Sequence, residues 1–332
     1  MAKRIIIYSL FAILMMGVFF SEAAFSRTLG EDEKLIWVGT GAFNDGFYDI
    51  AEKQFSQFLR EYPEHGKLYD ICYLLAKTLY IKEKLKESRT LFLKVINENK
   101  QFEYTEYILF WLADIELRFG NNEGARRYLV SILNRYPKYE GMDQVHYFLG
   151  LIEFGSNRPS LAESHLKKVS VISKNTELIQ ASHFWLGILS YKQNRFDEAT
   201  GYFKMAMPDL KPASALIFKY ASLWLGETQL KQGKFDEAKS IYRTFYERFK
   251  EDAFSQEVHW KLGFCDYRIG NFKEAIGTLQ SFKTQFKDSP LILYTHYLLG
   301  EMFLHNSDYP SSINDLNAIF TRSKENPLSG IA

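Results

Sequence analysis

Cysteine is almost missing from the 332 residues: there are 2, Cys72 and Cys265. A small disulfide scaffold is excluded, and no Cys-x-x-Cys pair offers a redox or zinc motif. Proline is scarce too, at 8, which leaves room for long uninterrupted helices. An excess of charge is lacking, because 41 Lys and Arg face 40 Asp and Glu. A general electrostatic case for nucleic acid, which needs clustered cations, is therefore absent. So are the catalytic signatures Gly-x-Ser-x-Gly, His-Glu-x-x-His and the phosphate-binding P-loop. What the chain does have is apolar bulk. It is 46% hydrophobic, with 28 Phe and 21 Tyr, enough for a large core.

The first residues form an address. Lys3 and Arg4 are followed by the almost wholly apolar run Ile5 to Phe20. Ser21-Glu22-Ala23 then places small residues at both ends of a tripeptide. This is the three-part form of a secretory signal peptide, expected over residues 1–23, with an uncleaved anchor as the alternative. The run is shorter than the roughly 20 residues of a spanning helix, so no stable membrane span is expected. A short linker, 24–30, follows. No cysteine precedes Cys72, so the lipid-attachment cysteine of a bacterial lipoprotein is lacking.

Beyond the linker the chain repeats itself. Gly39, Ala76, Ala113, Gly150, Gly187, Gly226, Gly263 and Gly300 stand 37 residues apart, save one step of 39. A second small residue follows each at a fixed offset: Ala51, Ser88, Ala125, Ala162, Ala199, Ala238, Ala275 and Ser312. A period of this length means a solenoid and overrides any domain count taken from chain length. Each repeat predicts two helices. The first closes in a polar turn at Gly46, Gly120, Asn157, Asn194, Gly233 or Gly270, residues suited to the left-handed conformation. The second opens with an acid such as Asp197, Asp236 or Glu274, as the helix dipole favours. One small residue on each helix predicts close approach of the two. The longer step falls near Pro208 and Pro212 and predicts a longer loop there. Cys72 and Cys265 lie too many repeats apart to meet, and each is expected as a small apolar filler. The array should span 31–325. Residues 326–332 look like the start of a ninth repeat, because Glu325-Asn326-Pro327-Leu328 parallels Asp288-Ser289-Pro290-Leu291. That parallel predicts a longer array than the one given, with a naturally short end as the alternative.

Leu225-Gly226 with Phe235-Asp236-Glu237-Ala238, and Leu262-Gly263 with Phe272-Lys273-Glu274-Ala275, resemble the tetratricopeptide repeat. The string Leu223-Trp224-Leu225-Gly226-Glu227 is similar to one in periplasmic members of that family. Those include the Tol-Pal system coordinating protein and the outer-membrane barrel-assembly lipoprotein. The resemblance implies an all-α solenoid, a right-handed superhelix of about eight helix-turn-helix units. It also implies that the first helices line a concave groove. The Lys/Asn/Arg carboxylate clamp of chaperone-binding members is lacking.

Three sets of residues compete for a function. His146, His183, His259 and His296 share one position in their repeats. Successive repeats stack about 10 Å apart, too far for equivalent histidines to share a zinc that needs ligands at about 2.0–2.1 Å. Hydrogen-bonded structural histidines without metal are expected. The second set is aromatic, on one face of the first helix: Tyr147, Phe154, Phe184, Tyr191, Trp260 and Tyr267. Packing between repeats and contact with a partner both stay open for these rings. The third is a row of cations in the last turn of the first helix: Arg118, Lys192, Lys231 and Arg268, continued by His305. The helix dipole alone favours cations there. A rail for acidic groups is the functional alternative. The expected site is a partner-binding groove of Tyr147, Phe154, Phe184, Tyr191, Lys192, Lys231, Trp260, Tyr267 and Arg268. The expected function is a non-catalytic scaffold or adaptor for an envelope protein or peptide. The expected place is the periplasm, with outer-membrane association open. The alternative is the periplasmic repeat region of a polysaccharide secretion system, contacting glycan. No cofactor, metal or nucleic acid is called for.

Overall fold

The computed structural model describes residues 29–207 and 215–323. The expected signal peptide, most of the expected linker, the loop expected at Pro208 and Pro212 and the expected start of a ninth repeat lie outside the described residues. Among those described, sixteen α-helices follow one another and no strand occurs. They run in eight pairs. The first three are α1 (Glu31–Asn44) with α2 (Tyr48–Glu61), α3 (Leu68–Ile81) with α4 (Leu85–Glu98), and α5 (Thr105–Arg118) with α6 (Asn122–Arg135). Then come α7 (Met142–Gly155) with α8 (Pro159–Ile172), α9 (Thr176–Lys192) with α10 (Phe196–Met205), and α11 (Ala215–Lys231) with α12 (Phe235–Arg248). The last are α13 (Ser255–Ile269) with α14 (Phe272–Gln285), and α15 (Ile292–His305) with α16 (Tyr309–Ser323). The chain forms two compact bodies, Met1–Glu140 with α1 to α6 and Gly141–Ala332 with α7 to α16.

Each pair turns on a residue with positive φ. The expected Gly and Asn turns are all there, and Glu83 (φ 58°) and Ser307 (φ 59°) fill the same station in the other two repeats. In every repeat the next N–H bonds back to a carbonyl of the last turn, as from Phe47 to Ala42 (2.7 Å) and from Asn271 to Asp266 (2.9 Å). This is the Schellman closure, and it aims the chain back along the helix it has just left.

The small residues then let the helices meet. A Cβ on Gly226 would fall 2.4 Å from the Tyr242 ring, and one on Gly187 would fall 2.5 Å from Phe203. The first small residue therefore receives a large side chain from the second helix, one turn past that helix's own small residue. The second small residue lies against the backbone of the first helix: Ser88 Oγ donates to Ala76 O and Ser312 Oγ to Gly300 O, each at 2.8 Å. Phe55, Phe92, Leu129, Leu166, Phe203, Tyr242 and Leu279 occupy the receiving station and are fully buried. Cys72 and Cys265 are buried free thiols in this core, and burial pushes the Cys265 thiol up to about 12.

First helices of neighbouring repeats also touch, α1 with α3, α7 with α9, α9 with α11 and α13 with α15. Second helices make no comparable contact. Within each body the first-helix face is thus the tighter, inner one. Neighbouring repeats are further joined at one recurring station. Arg89 on α4 donates to the buried Glu116 on α5 (2.7 Å). Lys239 on α12 pairs with the buried Asp266 on α13. At the same station Ile276 and Phe303 are apolar, and both pack against the core cluster of α14 and α15. No helix among the described residues is long and apolar enough to cross a membrane.

Candidate functional site

The six rings expected in a groove all lie in the second body and are half-buried. None is sealed in the core. Phe154 meets Trp185 at 5.3 Å between centroids, and Tyr191 meets Trp224 at 5.1 Å. Both contacts join first helices of successive repeats. Phe184 packs on Trp185 (5.5 Å) and on Phe203 (6.2 Å). Trp260 stacks on Phe264 (5.3 Å, 12°) and its buried Nε1 has no hydrogen-bond partner. Phe154 and Tyr191 therefore pack between repeats, and all six rings still show part of their surface.

Two columns of this face were not singled out as site residues, although Trp224 and Glu227 stand in the string that resembles the periplasmic members. Trp111, Trp185 and Trp224 stand two residues before the small position, where each meets a ring of the preceding repeat. Asp114, Glu227 and Glu301 stand one residue after it. Glu301 accepts from Tyr267 OH and Tyr297 OH, both at 2.7 Å. Glu227 accepts from Tyr242 OH (2.8 Å) and pairs with Lys261. Burial would pull the Lys261 pKa down, but Glu227 and Glu257 hold it above the usual lysine value. Both columns share a fixed register with the small residues, which was the available signal.

The cations do not form a projecting rail. Lys192 Nζ lies 4.9 Å from the Phe154 centroid. Arg268 lies over Phe235 (4.3 Å) and Phe264 (5.7 Å). Arg118 is held by Glu83 (2.9 Å), by Asp114 (2.9 Å) and by Tyr80 OH (2.8 Å), and the Glu83 carboxylate raises its pKa. His305 meets Phe272 edge-on at 4.7 Å. Lys231 is exposed at the end of α11, and no contact joins it to the rings. The site thus brings Lys192 and Arg268 together with aromatic rings but leaves Lys231 apart.

Each histidine of the shared position has a polar neighbour. His146 Nδ1 lies 2.9 Å from His165 Nδ1, and His183 Nε2 lies 3.1 Å from Ser170 Oγ. His259 Nδ1 is 3.5 Å from Tyr246 OH, and His296 Nδ1 is 2.6 Å from Asp315, which also accepts from Lys283 (2.7 Å). No group of three or more His, Cys, Asp or Glu among the described residues is placed to hold a metal ion.

A chain of paired helices whose first helices line one face within each body is an α-solenoid, a class that works by surface contact. Three stretches, residues 107–139, 220–252 and 257–289, match the model of the tetratricopeptide repeat. The chain thus carries tetratricopeptide repeats. No curated protein matches it. Similar solved structures include a tetratricopeptide repeat protein from Parabacteroides merdae, 16% identical, with a TM-score of 0.52 over 81% of this chain and 98% of that one. The C-terminal part of a repeat-containing protein from Cytophaga hutchinsonii is 12% identical, with a TM-score of 0.60 over 75% and 94%. PilF of Pseudomonas aeruginosa is 16% identical, with a TM-score of 0.51 over 68% and 96%. At these identities the likeness speaks for the fold. Nothing in the matches singles out the Tol-Pal coordinator or the barrel-assembly lipoprotein.

Proposed function

We propose that this chain is a non-catalytic scaffold of the cell envelope that holds a segment of a partner protein on the first-helix face of α7 to α15. The observation that carries the proposal is the half-burial of Tyr147, Phe154, Phe184, Tyr191, Trp260 and Tyr267 along that one face. Rings fixed by their neighbours lose little freedom when a partner covers their exposed edges, which is what interface anchors require. Lys192 adds an exposed cation over Phe154, and Arg268 adds one over Phe235 and Phe264. The signal-peptide form of residues 1–23 supports export, and the periplasm is the proposed compartment. Trp260→Ala with Tyr267→Ala should weaken capture of an envelope partner by about 2 kcal/mol or more. Crosslinking in cells followed by pull-down measures this, with circular dichroism as a check on folding. Undiminished capture by a folded double variant would remove this face from the function.

A further inference from the structure

We propose that the first-helix face of the other body, residues 29–140, is a separate docking surface for an extended partner segment carrying an acidic side chain. The acid is received where Phe43, Tyr73, Lys77 and Tyr104 come together. Lys77 Nζ lies 5.2 Å from the Phe43 centroid and 5.3 Å from that of Tyr73. It is half-buried, and no carboxylate among the described residues pairs with it. Burial alone lowers its pKa, with no charged group among the causes. A partly desolvated ammonium without a counter-charge is costly, and an incoming carboxylate would relieve that cost.

The neighbouring phenols point the same way. Tyr104 stacks on Tyr73 at 5.5 Å and 11°, Tyr107 follows Tyr104 at 6.2 Å, and Tyr139 follows Tyr107 at 5.3 Å. Only Tyr107 of these four spends its hydroxyl, on Glu140 at 2.9 Å; among the described residues the hydroxyls of Tyr73, Tyr104 and Tyr139 have no acceptor. Three other phenols do find a carboxylate, Tyr80 in Asp114, Tyr242 in Glu227 and Tyr267 in Glu301. The strip therefore holds one ammonium and three hydroxyls with no acceptor to match. An ionised carboxylate only accepts, so it is the complementary group. Glu106 and Glu140 lie beside Tyr107, which fixes the acid at the Lys77 end. A sugar ring would need a bare aromatic face, whereas Tyr73 is already covered by Tyr104 and Lys77. A strip of ring edges and hydroxyls suits extended polypeptide instead.

The test uses the full chain and two capped decapeptides, one alternating proline and glutamate and one alternating proline and glutamine, in titration calorimetry. The glutamate peptide should bind at least about tenfold more tightly, and Lys77→Met should erase that difference while Lys77→Arg keeps it. If Lys77→Met fails to fold, Tyr73→Phe with Tyr104→Phe carries the test and should lower affinity about threefold or more. Trp260→Ala should change nothing here, so failure of this surface and failure of the α7–α15 face are read separately. Equal binding of both peptides, no binding of the glutamate peptide at millimolar concentration, or preference for oligogalacturonate would each overturn the proposal.

Discussion

Single residues carry strain and charge that the period alone hides. Six of the eight left-handed turns were legible because Gly and Asn advertise that conformation; Glu83 and Ser307 were not, because neither residue type favours it. Glu83 is compensated by its two bonds to Arg118 (3.0 and 2.9 Å). Ser307→Gly should therefore stabilise the protein by about 0.5–1 kcal/mol, and Gly270→Ala should destabilise it by about 1 kcal/mol. Urea midpoints at constant m-value measure both, and a lowered midpoint for the glycine variant would contradict the strain argument. The histidines give a pH dependence. Burial, then His165, then Lys168 push the His146 pKa down to about 4, and burial lowers His183 and His259 as well. Between the ordinary histidine value and the folded one, the unfolded chain binds more protons. Stability is thus complete above about pH 6.5 and is lost as the pH falls towards 4. His146 should account for about 1–2 kcal/mol of the loss between pH 7 and pH 5. Thermal melts of His146→Gln should show a flatter slope over that range; an unchanged slope would assign the effect to other groups.

At the scale of the helix, two glycines of the same type should respond in opposite directions. Gly226 of α11 faces the fully buried Tyr242 ring, where a Cβ would stand 2.4 Å away. Gly277 of α14 has open space. Gly226→Ala should cost about 1–3 kcal/mol by overpacking, whereas Gly277→Ala should gain about 0.5–1 kcal/mol of helix propensity. Denaturation of the two variants side by side decides it, and a neutral Gly226→Ala would mean that the helices shift apart freely. The contrast explains what was legible. A small residue recurring at fixed register announced the helix pair, and Gly277, off that register, carried no message. The rings of the first helix were legible for the same reason. Their partners were not, because a 37-residue period says which residues are equivalent but not how far one repeat is displaced against the next. That displacement is what brings Trp185 to Phe154 and Glu301 to Tyr267.

At the scale of the whole molecule, stability in a solenoid is a sum over repeats and their interfaces, so damage should stay near the interface that suffers it. The station shared by Lys239 and Asp266, between α12 and α13, offers a clean cut. Asp266 is 4% exposed. Lys239→Met would leave its charge buried and unpaired, at a cost of about 3–5 kcal/mol. Replacing both residues with Leu should cost far less, because at the equivalent positions Ile276 and Phe303 are apolar and pack against the core cluster of α14 and α15. Hydrogen exchange read by mass spectrometry then separates local from global loss. In Lys239→Met the amides of α13 to α16 should exchange faster, since these two repeats become a short stack cut from its neighbour. The amides of α7 to α10, beyond the α11–α12 repeat on the other side, should keep their protection. The double Leu variant should restore α13 to α16. Equal loss of protection from α7 through α16 would show that the second body opens as one cooperative unit, and the nearest-neighbour account of its stability would have to be given up.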